Sequence, residues 1–205
     1  MQKNYKAFLT GIVLATIVLF LIIHFACRSY PDGNPWELEI LTGDIGYCVT
    51  GVAILAWLFN HLLWRIPFVG RWSYTPNLTG TWEGQGKSSF NNTKYTFTIK
   101  IKQTFLEAHV HGYFEKSESH SFSGAFIHED TTDHTIFIYS YKNDPKQEFR
   151  NKAERGEKDG LSIHYGTTKL NIDFENLTQL SGTYWNDRNC TGSLELTKQC
   201  KDNGK

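Results

Sequence analysis

Apolar positions divide the chain into two parts. Two nearly uninterrupted apolar runs, Ala7 to Ala26 and Ile45 to Trp64, each contain 20 residues. At a helical rise of 1.5 Å per residue, such a run spans about 30 Å, the thickness of the hydrocarbon core of a bilayer. The pattern therefore predicts two N-terminal transmembrane α-helices, which form a hairpin over residues 1–66. The first run also fits a signal peptide, but no cleavage site of small residues follows it.

Basic residues are distributed unevenly around these two runs. Lys3 and Lys6 precede the first run, Arg65 and Arg71 follow the second, and the connecting segment Arg28 to Asp44 is mainly acidic. Loops rich in lysine and arginine stay on the cytoplasmic side of a membrane. The charge asymmetry therefore predicts that the N- and C-termini are both cytoplasmic and that the connecting loop is outside.

Small residues form stripes within the apolar runs. Gly11 and Ala15 are four residues apart in the first run, and the second has a similar series on one side: Gly46, Thr50, Ala53 and Ala56. Such stripes allow helices to pack closely in lipid, either within one hairpin or between copies of the chain. His24, near the end of the first run, is expected at the membrane interface.

Beyond residue 76 the period of the apolar pattern changes to two, which indicates half-buried strands. In "YTFTIKIKQ", for example, alternate residues from Tyr95 to Gln103 share one face. Eight such segments with mostly short connections predict an antiparallel up-and-down β-barrel of the lipocalin or avidin kind over residues 77–198. Residues 67–76 would be a linker and 199–205 a tail. Trp82, in "LTGTWEG", is expected to pack one end of the barrel.

One connection is much longer than the others, from Lys142 to Gly160. Asp144 can cap a helix that begins at Pro145 and ends near Gly156. The segment is either a short helix that covers one end of the barrel or a charged, solvated loop.

Polar residues on the inner face are the candidates for binding chemistry. Alternation directs five of them inward, namely Gln103, His164, Gly166, Thr168 and Tyr184. In "IFIYSYKN" either Ile136, Ile138 and Ser140 or Phe137, Tyr139 and Tyr141 face the interior. Tyrosines can stack on a base, and the guanidinium of Arg188 in the turn "WNDRN" can bind a phosphate. Each residue also has a purely structural interpretation as a core or surface residue.

Composition and motifs exclude several function classes. The chain has 21 basic and 21 acidic residues, so its net charge gives no sign of binding to DNA or RNA polymers. It contains none of the common catalytic or nucleotide-binding motifs, so no enzyme activity and no cofactor are predicted. His109 and His111 share a strand face and could bind a metal, but they point away from the apolar face and no cluster of cysteines or carboxylates joins them, so no metal site is predicted.

The order of these features resembles that of a bacterial family, the two-transmembrane, β-strand-rich (S-2TMβ) effectors of CBASS antiphage operons. The resemblance covers nearly the whole chain and is carried by two spans and then "LTGTWEG", "IKIKQTF", "SESHSFSGAF", "YSYKNDP", "IHYGTTKL" and "LSGTYWNDRNCTGSLEL". It implies that the barrel binds a cyclic dinucleotide made by a CD-NTase. It also implies that ligand-driven homo-oligomerisation disrupts the inner membrane and aborts infection.

The resemblance also implies a set of ligand-binding residues. On the matching motifs these are Gln103, Ser119, Tyr139, Tyr141, His164, Tyr184 and Arg188. Two other function classes remain open from the residues alone. One is a membrane-tethered barrel that carries or senses another small molecule, since "LTGTW" also resembles the first strand of avidins. The other is a partner-binding domain without a pocket.

Overall fold

The computed structural model describes residues 2–26 and 38–199. It divides the chain into two compact units, with the boundary between Val69 and Gly70. Residues 28–37 of the predicted loop and residues 200–205 of the predicted tail lie outside the described residues.

The first unit is a pair of helices. Helix α1 covers Gln2–Leu21 and continues as a π-helical turn over Ile22–Ala26, and helix α2 covers Leu38–His61. A 3₁₀ turn at Leu63–Arg65 follows α2. Within the described residues, the stretch Thr42–Arg65 is long and apolar enough to cross a membrane, whereas Thr10–Phe25 forms a shorter apolar helix.

A buried pair of polar side chains joins the two helices. His24 Nδ1 lies 2.8 Å from Asp44 Oδ2, and both side chains are fully buried. The sequence interpretation placed His24 at the interface and Asp44 in the connecting loop. The placement of Asp44 is wrong, because α2 begins at Leu38 and Asp44 therefore lies within it, whereas the position of His24 relative to a membrane stays a prediction. An ionisable group in an apolar setting needs a polar partner, and each of these residues provides one for the other.

Small residues contribute to the packing of this pair at one point. A Cβ atom built on Gly51 would lie 2.8 Å from Leu19 Cδ2, so a side chain there would displace the Leu19 side chain. Around Gly11 and Gly46, by contrast, no described atom lies within 4 Å of the corresponding position. The glycines of the predicted stripes therefore do not mediate the contact between α1 and α2.

A short helix, α3, at Pro67–Trp72 crosses the boundary between the two units, and the second unit contains the predicted barrel. Its eight strands are β1 Gly80–Ser88, β2 Lys94–Gln103, β3 Ala108–Tyr113, β4 Ser117–Glu129, β5 His134–Pro145, β6 His164–Ile172, β7 Gln179–Asn186 and β8 Thr191–Lys198. Each strand pairs antiparallel with the next, and β8 pairs with β1. The prediction of a closed eight-stranded up-and-down barrel is confirmed.

The long connection between β5 and β6 contains a helix, but not the one that the sequence predicted. Strand β5 extends to Pro145, and helix α4 covers Gln147–Glu154. Asp144 does not cap this helix; its carboxylate binds the guanidinium of Arg150 and lies 3.4 Å from Lys142 Nζ. Gly156 follows the helix with φ of +72°, a left-handed conformation that glycine adopts without strain.

Side chains fill the end of the barrel at which β1 begins. Trp82 is fully buried, and its Nε1 donates a hydrogen bond to the carbonyl oxygen of Leu78 at 2.9 Å. Lys198 Nζ lies 5.3 Å from the centre of the indole ring, within range of a cation–π contact. Isoleucines, leucines and phenylalanines from the surrounding strands complete this core: Leu78, Phe97, Ile99, Ile101, Phe137, Leu170, Ile172, Leu180 and Leu196. We call this half of the barrel the plugged half.

Candidate functional site

The other half of the barrel, which we call the tyrosine half, has a more polar interior. Strand β5 settles which face is inside, because Phe137 and Tyr139 are buried and Tyr141 packs against the same core. The rings of Tyr139 and Tyr141 have centroids 6.2 Å apart. Of the two alternatives for "IFIYSYKN", the aromatic one is therefore correct.

Cross-strand pairing brings most of the predicted site residues into this half. Asn143 on β5 pairs with Ser119 on β4 and with His164 on β6, so these three residues form one row across three strands. Tyr139 and Tyr184 both pair with Thr168, which forms a second row. Polar and aromatic groups from four strands therefore converge on one region of the interior.

Each of three tyrosine rings lies against a glycine on the next strand. A Cβ atom built on Gly86 would lie 2.4 Å from the ring of Tyr95, and one on Gly192 would lie 2.3 Å from the ring of Tyr184. Tyr141 is related to its neighbour on β6 in the same way, since a Cβ on Gly166 would lie 2.5 Å from its Oη. Because glycine has no side chain, these three positions leave space on the inner face of the barrel, and the tyrosine rings occupy it.

The tyrosine hydroxyls are weak acids in this environment. Burial raises the pKa of Tyr139 to about 12, although a hydrogen bond with Thr168 acts in the opposite direction. Burial also raises the pKa of Tyr95, which is hydrogen-bonded to Tyr184, and that of Tyr141. All three hydroxyls are therefore protonated at neutral pH and can donate hydrogen bonds to a ligand.

His164 lies on the inner side of β6 where this strand begins, close to the turn that carries Arg188. Burial lowers the pKa of its imidazole, and the charge of Arg188 acts in the same direction. A hydrogen bond with the carbonyl of Ser162 and the charge of Asp187 oppose the change. The imidazole is therefore mainly neutral at pH 7. Arg188 itself is exposed, in the turn between β7 and β8.

Asn143 belongs to this group, although it was not among the predicted site residues. It is 5% exposed, and its Nδ2 donates a hydrogen bond to Ser117 Oγ at 3.1 Å. Its Oδ1 is buried and makes no hydrogen bond with any described residue. A buried acceptor of this kind is costly unless something else supplies a donor. The alternation of β5 would have identified Asn143 once Tyr139 and Tyr141 were known to face inward.

Gln103 is located apart from the other predicted site residues. It lies in the plugged half, where Oε1 accepts a hydrogen bond from the Leu78 amide at 3.0 Å and Nε2 donates one to the Pro76 carbonyl at 3.1 Å. These bonds hold the segment that leads into β1. The structure therefore brings Ser119, Tyr139, Tyr141, His164 and Tyr184 together, places Arg188 near His164, and separates Gln103 from them.

Comparisons with known proteins agree with the division of the chain into a helical unit and a barrel unit. A family model described as "Cap15, cyclic dinucleotide receptor domain" matches residues 73–198. A protein of Yersinia aleksiciae named CD-NTase-associated protein 15 is 28% identical over 151 residues, which are 72% of this chain and just under two thirds, 66%, of that protein. Proteins with the same name from Staphylococcus schleiferi and Escherichia albertii are 26% and 22% identical, over 91% and 80% of their lengths and 87% and 76% of this chain.

Among solved structures, the chain is similar to designed β-barrels. A redesigned barrel, mFAP1, bound to DFHBI, aligns with a TM-score of 0.38 and 10% identity over 59% of this chain and 94% of its own. A de novo designed fluorescence-activating barrel aligns with a TM-score of 0.36 and 14% identity, over 59% of this chain and 93% of its own.

The family match covers more than half of the chain and includes every strand of the barrel. It describes a receptor domain rather than a catalytic one. The resemblance to CBASS effectors, based on motif order, is thereby confirmed. The chain belongs to the Cap15 family, and residues 73–198 are its cyclic dinucleotide receptor domain.

Proposed function

We propose that this protein is an antiphage CBASS effector that binds a cyclic dinucleotide inside the tyrosine half of its barrel. The observation that carries the proposal is the row Ser119, Asn143 and His164 beside the buried tyrosines. Within it, Asn143 Oδ1 is a buried acceptor without a described donor. The exocyclic amine of a nucleobase is a donor of the kind this oxygen lacks.

The proposed ligand has two bases and two phosphates, and the residues offer groups for both. Rings such as those of Tyr139, Tyr141 and Tyr184 can stack on bases, and protonated hydroxyls can bind sugar or phosphate oxygens. Arg188, near His164, can bind a phosphate with its planar guanidinium. Because its amide is already hydrogen-bonded, Gln103 is assigned a structural role and is left out of the proposed site.

We further propose that residues 1–66 form two spans in the bacterial inner membrane, with both termini in the cytoplasm. The apolar stretch Thr42–Arg65 supports one span, and the shorter helix Thr10–Phe25 is the candidate for the other. Gly11 and Gly46 have free space beside them, which leaves them available for packing against another copy. Ligand binding would favour an oligomer whose assembled helices disrupt the membrane, provided that the ligand binds this state more tightly.

Calorimetry with the full chain in detergent tests the proposed ligand. We expect a cyclic dinucleotide to bind, and fatty acids, biotin and linear RNA not to bind. Asn143→Leu should weaken binding by about tenfold or more, because it replaces a buried hydrogen-bonding group by an apolar one of similar size. Asn171→Leu, on the outer face of the neighbouring strand, is the matched control. Binding of biotin or a fatty acid in place of the nucleotide would favour a tethered carrier.

The membrane activity requires a separate measurement. In cells that express the chain together with a CD-NTase, we expect depolarisation only while the nucleotide is made. Asn143→Leu should abolish this response. Depolarisation that is the same with and without nucleotide synthesis would refute the coupling of the receptor to the membrane, even if calorimetry had confirmed the ligand.

The pKa of His164 leads to a prediction of how cyclic dinucleotide binding depends on pH. Its folded pKa lies below its ordinary value, mainly because of burial, with Arg188 acting in the same direction and Asp187 against it. Phosphates bound nearby would favour the protonated ring and raise the pKa of His164 above its value in the ligand-free protein. Ligand binding would then take up a proton, so it should tighten as the pH falls from the pKa of the bound state to that of the free state. We expect the dissociation constant to fall from pH 7.5 to 5.5 in the wild type and to change less in His164→Asn. Equal slopes in the two proteins would contradict this placement.

A further inference from the structure

Three potential metal ligands come together on the outer face of the barrel, away from the proposed ligand site. They are His111 on β3 and Glu118 and His120 on β4, and their ligand atoms all lie within 4.8 Å of one another. His111 pairs directly with His120 across the two strands, and Glu118 pairs with Tyr113. The sequence grouped His111 with His109 instead, because cross-strand neighbours cannot be identified before the register is known.

The side chains of this cluster are held in place by their neighbours. The ring of His111 lies between two others, with its centroid 4.1 Å from that of Tyr113 and 4.0 Å from that of His120. His111 Nε2 is 3.0 Å from Glu118 Oε2. The Glu118 side chain is 47% exposed and that of His111 is 31% exposed, so an ion from solvent can reach both residues.

Two lysines flank the cluster on the adjacent strands, and each has another interaction. Lys100 pairs with His111 from β2, but its Nζ lies 5.2 Å from the centre of the Tyr113 ring. Lys142 pairs with His120 from β5, but its Nζ lies 3.4 Å from Asp144 Oδ2. The carboxylate of Asp144 offsets the charge of Lys142, whereas Lys100 keeps its charge beside the Tyr113 ring that stacks on His111.

We propose that His111, Glu118 and His120 form a binding site for a divalent transition-metal ion such as Zn²⁺. Two imidazoles and one carboxylate are a donor set that Zn²⁺ accepts at distances near 2.0–2.2 Å, with a fourth position open to water or another ligand. We expect side-chain rotations to bring the three ligand atoms, which lie within 4.8 Å of one another, onto one ion. Mg²⁺ and Ca²⁺ prefer sets made only of oxygen, so this site discriminates against them.

The site lies across the shortest ladder of the barrel. Strands β3 and β4 pair at only three positions, whereas β4 and β5 pair at twelve with a bulge between Ser121 and Ser123. Directly beyond the ladder, the amide of Val110 donates to Ser121 Oγ at 2.7 Å instead of to a backbone carbonyl. A metal bound by residues from both strands would therefore join the seam with the fewest backbone pairs. Ser119, between two of the ligands, faces the interior, so the ion would lie on the opposite face of the same strand.

Equilibrium dialysis of the full chain in detergent against ZnCl₂ tests the proposal. We expect each chain to bind one Zn²⁺. His111→Ala and His120→Ala should each lower the affinity for Zn²⁺ by at least about tenfold. His109→Ala is the matched control, since His109 lies on the same strand and also faces outward, but contacts Glu107 rather than the cluster. This variant should bind Zn²⁺ like the wild type, and MgCl₂ in place of ZnCl₂ should show no binding at the site.

A second measurement separates binding at this site from binding elsewhere. Zn²⁺ should raise the melting temperature of the wild type and of His109→Ala, but not that of His120→Ala, because only an ion bound to the folded seam stabilises it. Co²⁺ bound to the same residues should give a visible d–d spectrum that both cluster variants lose. Zinc affinity and melting shift that are unchanged in His111→Ala and His120→Ala would overturn the proposal.

Discussion

Trp82→Ala is expected to lower the free energy of unfolding of the barrel by about 3–5 kcal/mol, the usual cost of removing a large buried aromatic side chain. The side chain is fully buried and lies at the centre of the plugged half. Its removal leaves a cavity and eliminates both the hydrogen bond to the Leu78 carbonyl and the cation–π contact with Lys198. Because domains are commonly stable by only about 5–15 kcal/mol, the variant should be close to unfolding at 37 °C.

Urea unfolding of the full chain in detergent, followed by near-ultraviolet circular dichroism, measures this effect. Trp185→Ala is the matched control, because Trp185 lies on strand β7 of the same barrel but is 45% exposed. It should change the free energy of unfolding by less than about 1 kcal/mol. If Trp82→Ala does not fold at all, Trp82→Phe, which keeps most of the buried area but lacks Nε1, should show a smaller loss. Equal effects at Trp82 and Trp185 would contradict the assignment of the plugged half.

The alternation of apolar and polar residues was sufficient to predict the barrel, because each strand buries one face. A shift of the strand by one residue would turn its apolar face to solvent. Tyr95 and Gln103, assigned to one face from the sequence, do share the interior. The same rule failed to choose a face for β5, since both of its faces carry apolar or aromatic residues. That choice depends on which face meets the core, and tertiary packing decides it through Phe137 and Tyr139.

Two contacts between charged or titratable side chains were not predicted from the sequence. The pairing of His24 with Asp44 requires knowing where α2 begins, and the sequence offered an acidic loop as a sufficient explanation for Asp44. The Arg150 partner of Asp144 was likewise hidden, because Asp144 also fits the pattern of a helix cap. In both cases a local rule gave a plausible role to a carboxylate whose actual partner is a cation or imidazole on another element of the structure.

The candidate site was also predicted only in part from the sequence. The inward direction of Tyr184 and His164 follows from periodicity, whereas Tyr139 and Tyr141 were included through the resemblance, and the grouping of all four at one end depends on the register. Gln103 was included because it faces inward, and only the structure shows that the plugged half uses both of its amide groups. The barrel thus has two parts that its sequence does not separate. The plugged half contains most of the hydrophobic core, and the tyrosine half contains a buried acceptor, Asn143 Oδ1, without a described hydrogen-bond donor.

Gly86→Ala tests the tyrosine half directly and should strongly weaken ligand binding without unfolding the barrel. A Cβ at this position would lie 2.4 Å from Cζ and 2.6 Å from Oη of Tyr95, and all of its closest neighbours belong to that one ring. A Cβ contact this short requires the ring to move, and because Tyr95 lies on the inner face of β2, we expect it to move further into the interior of the barrel. We expect the displaced ring to occupy ligand space and to weaken cyclic dinucleotide binding by about a hundredfold, or about 2.7 kcal/mol.

Calorimetry on four variants distinguishes this steric mechanism from general damage. Gln85→Ala, the neighbouring outward-facing position, should bind like the wild type. Tyr95→Leu removes the ring that the new methyl group would strike, so Gly86→Ala should cost little when it is introduced into Tyr95→Leu. Such a large coupling between two neighbouring substitutions is expected only if one acts through the other. If Gly86→Ala weakens binding equally in both backgrounds, the effect comes from the strand itself, and the tyrosine ring does not control access to the site.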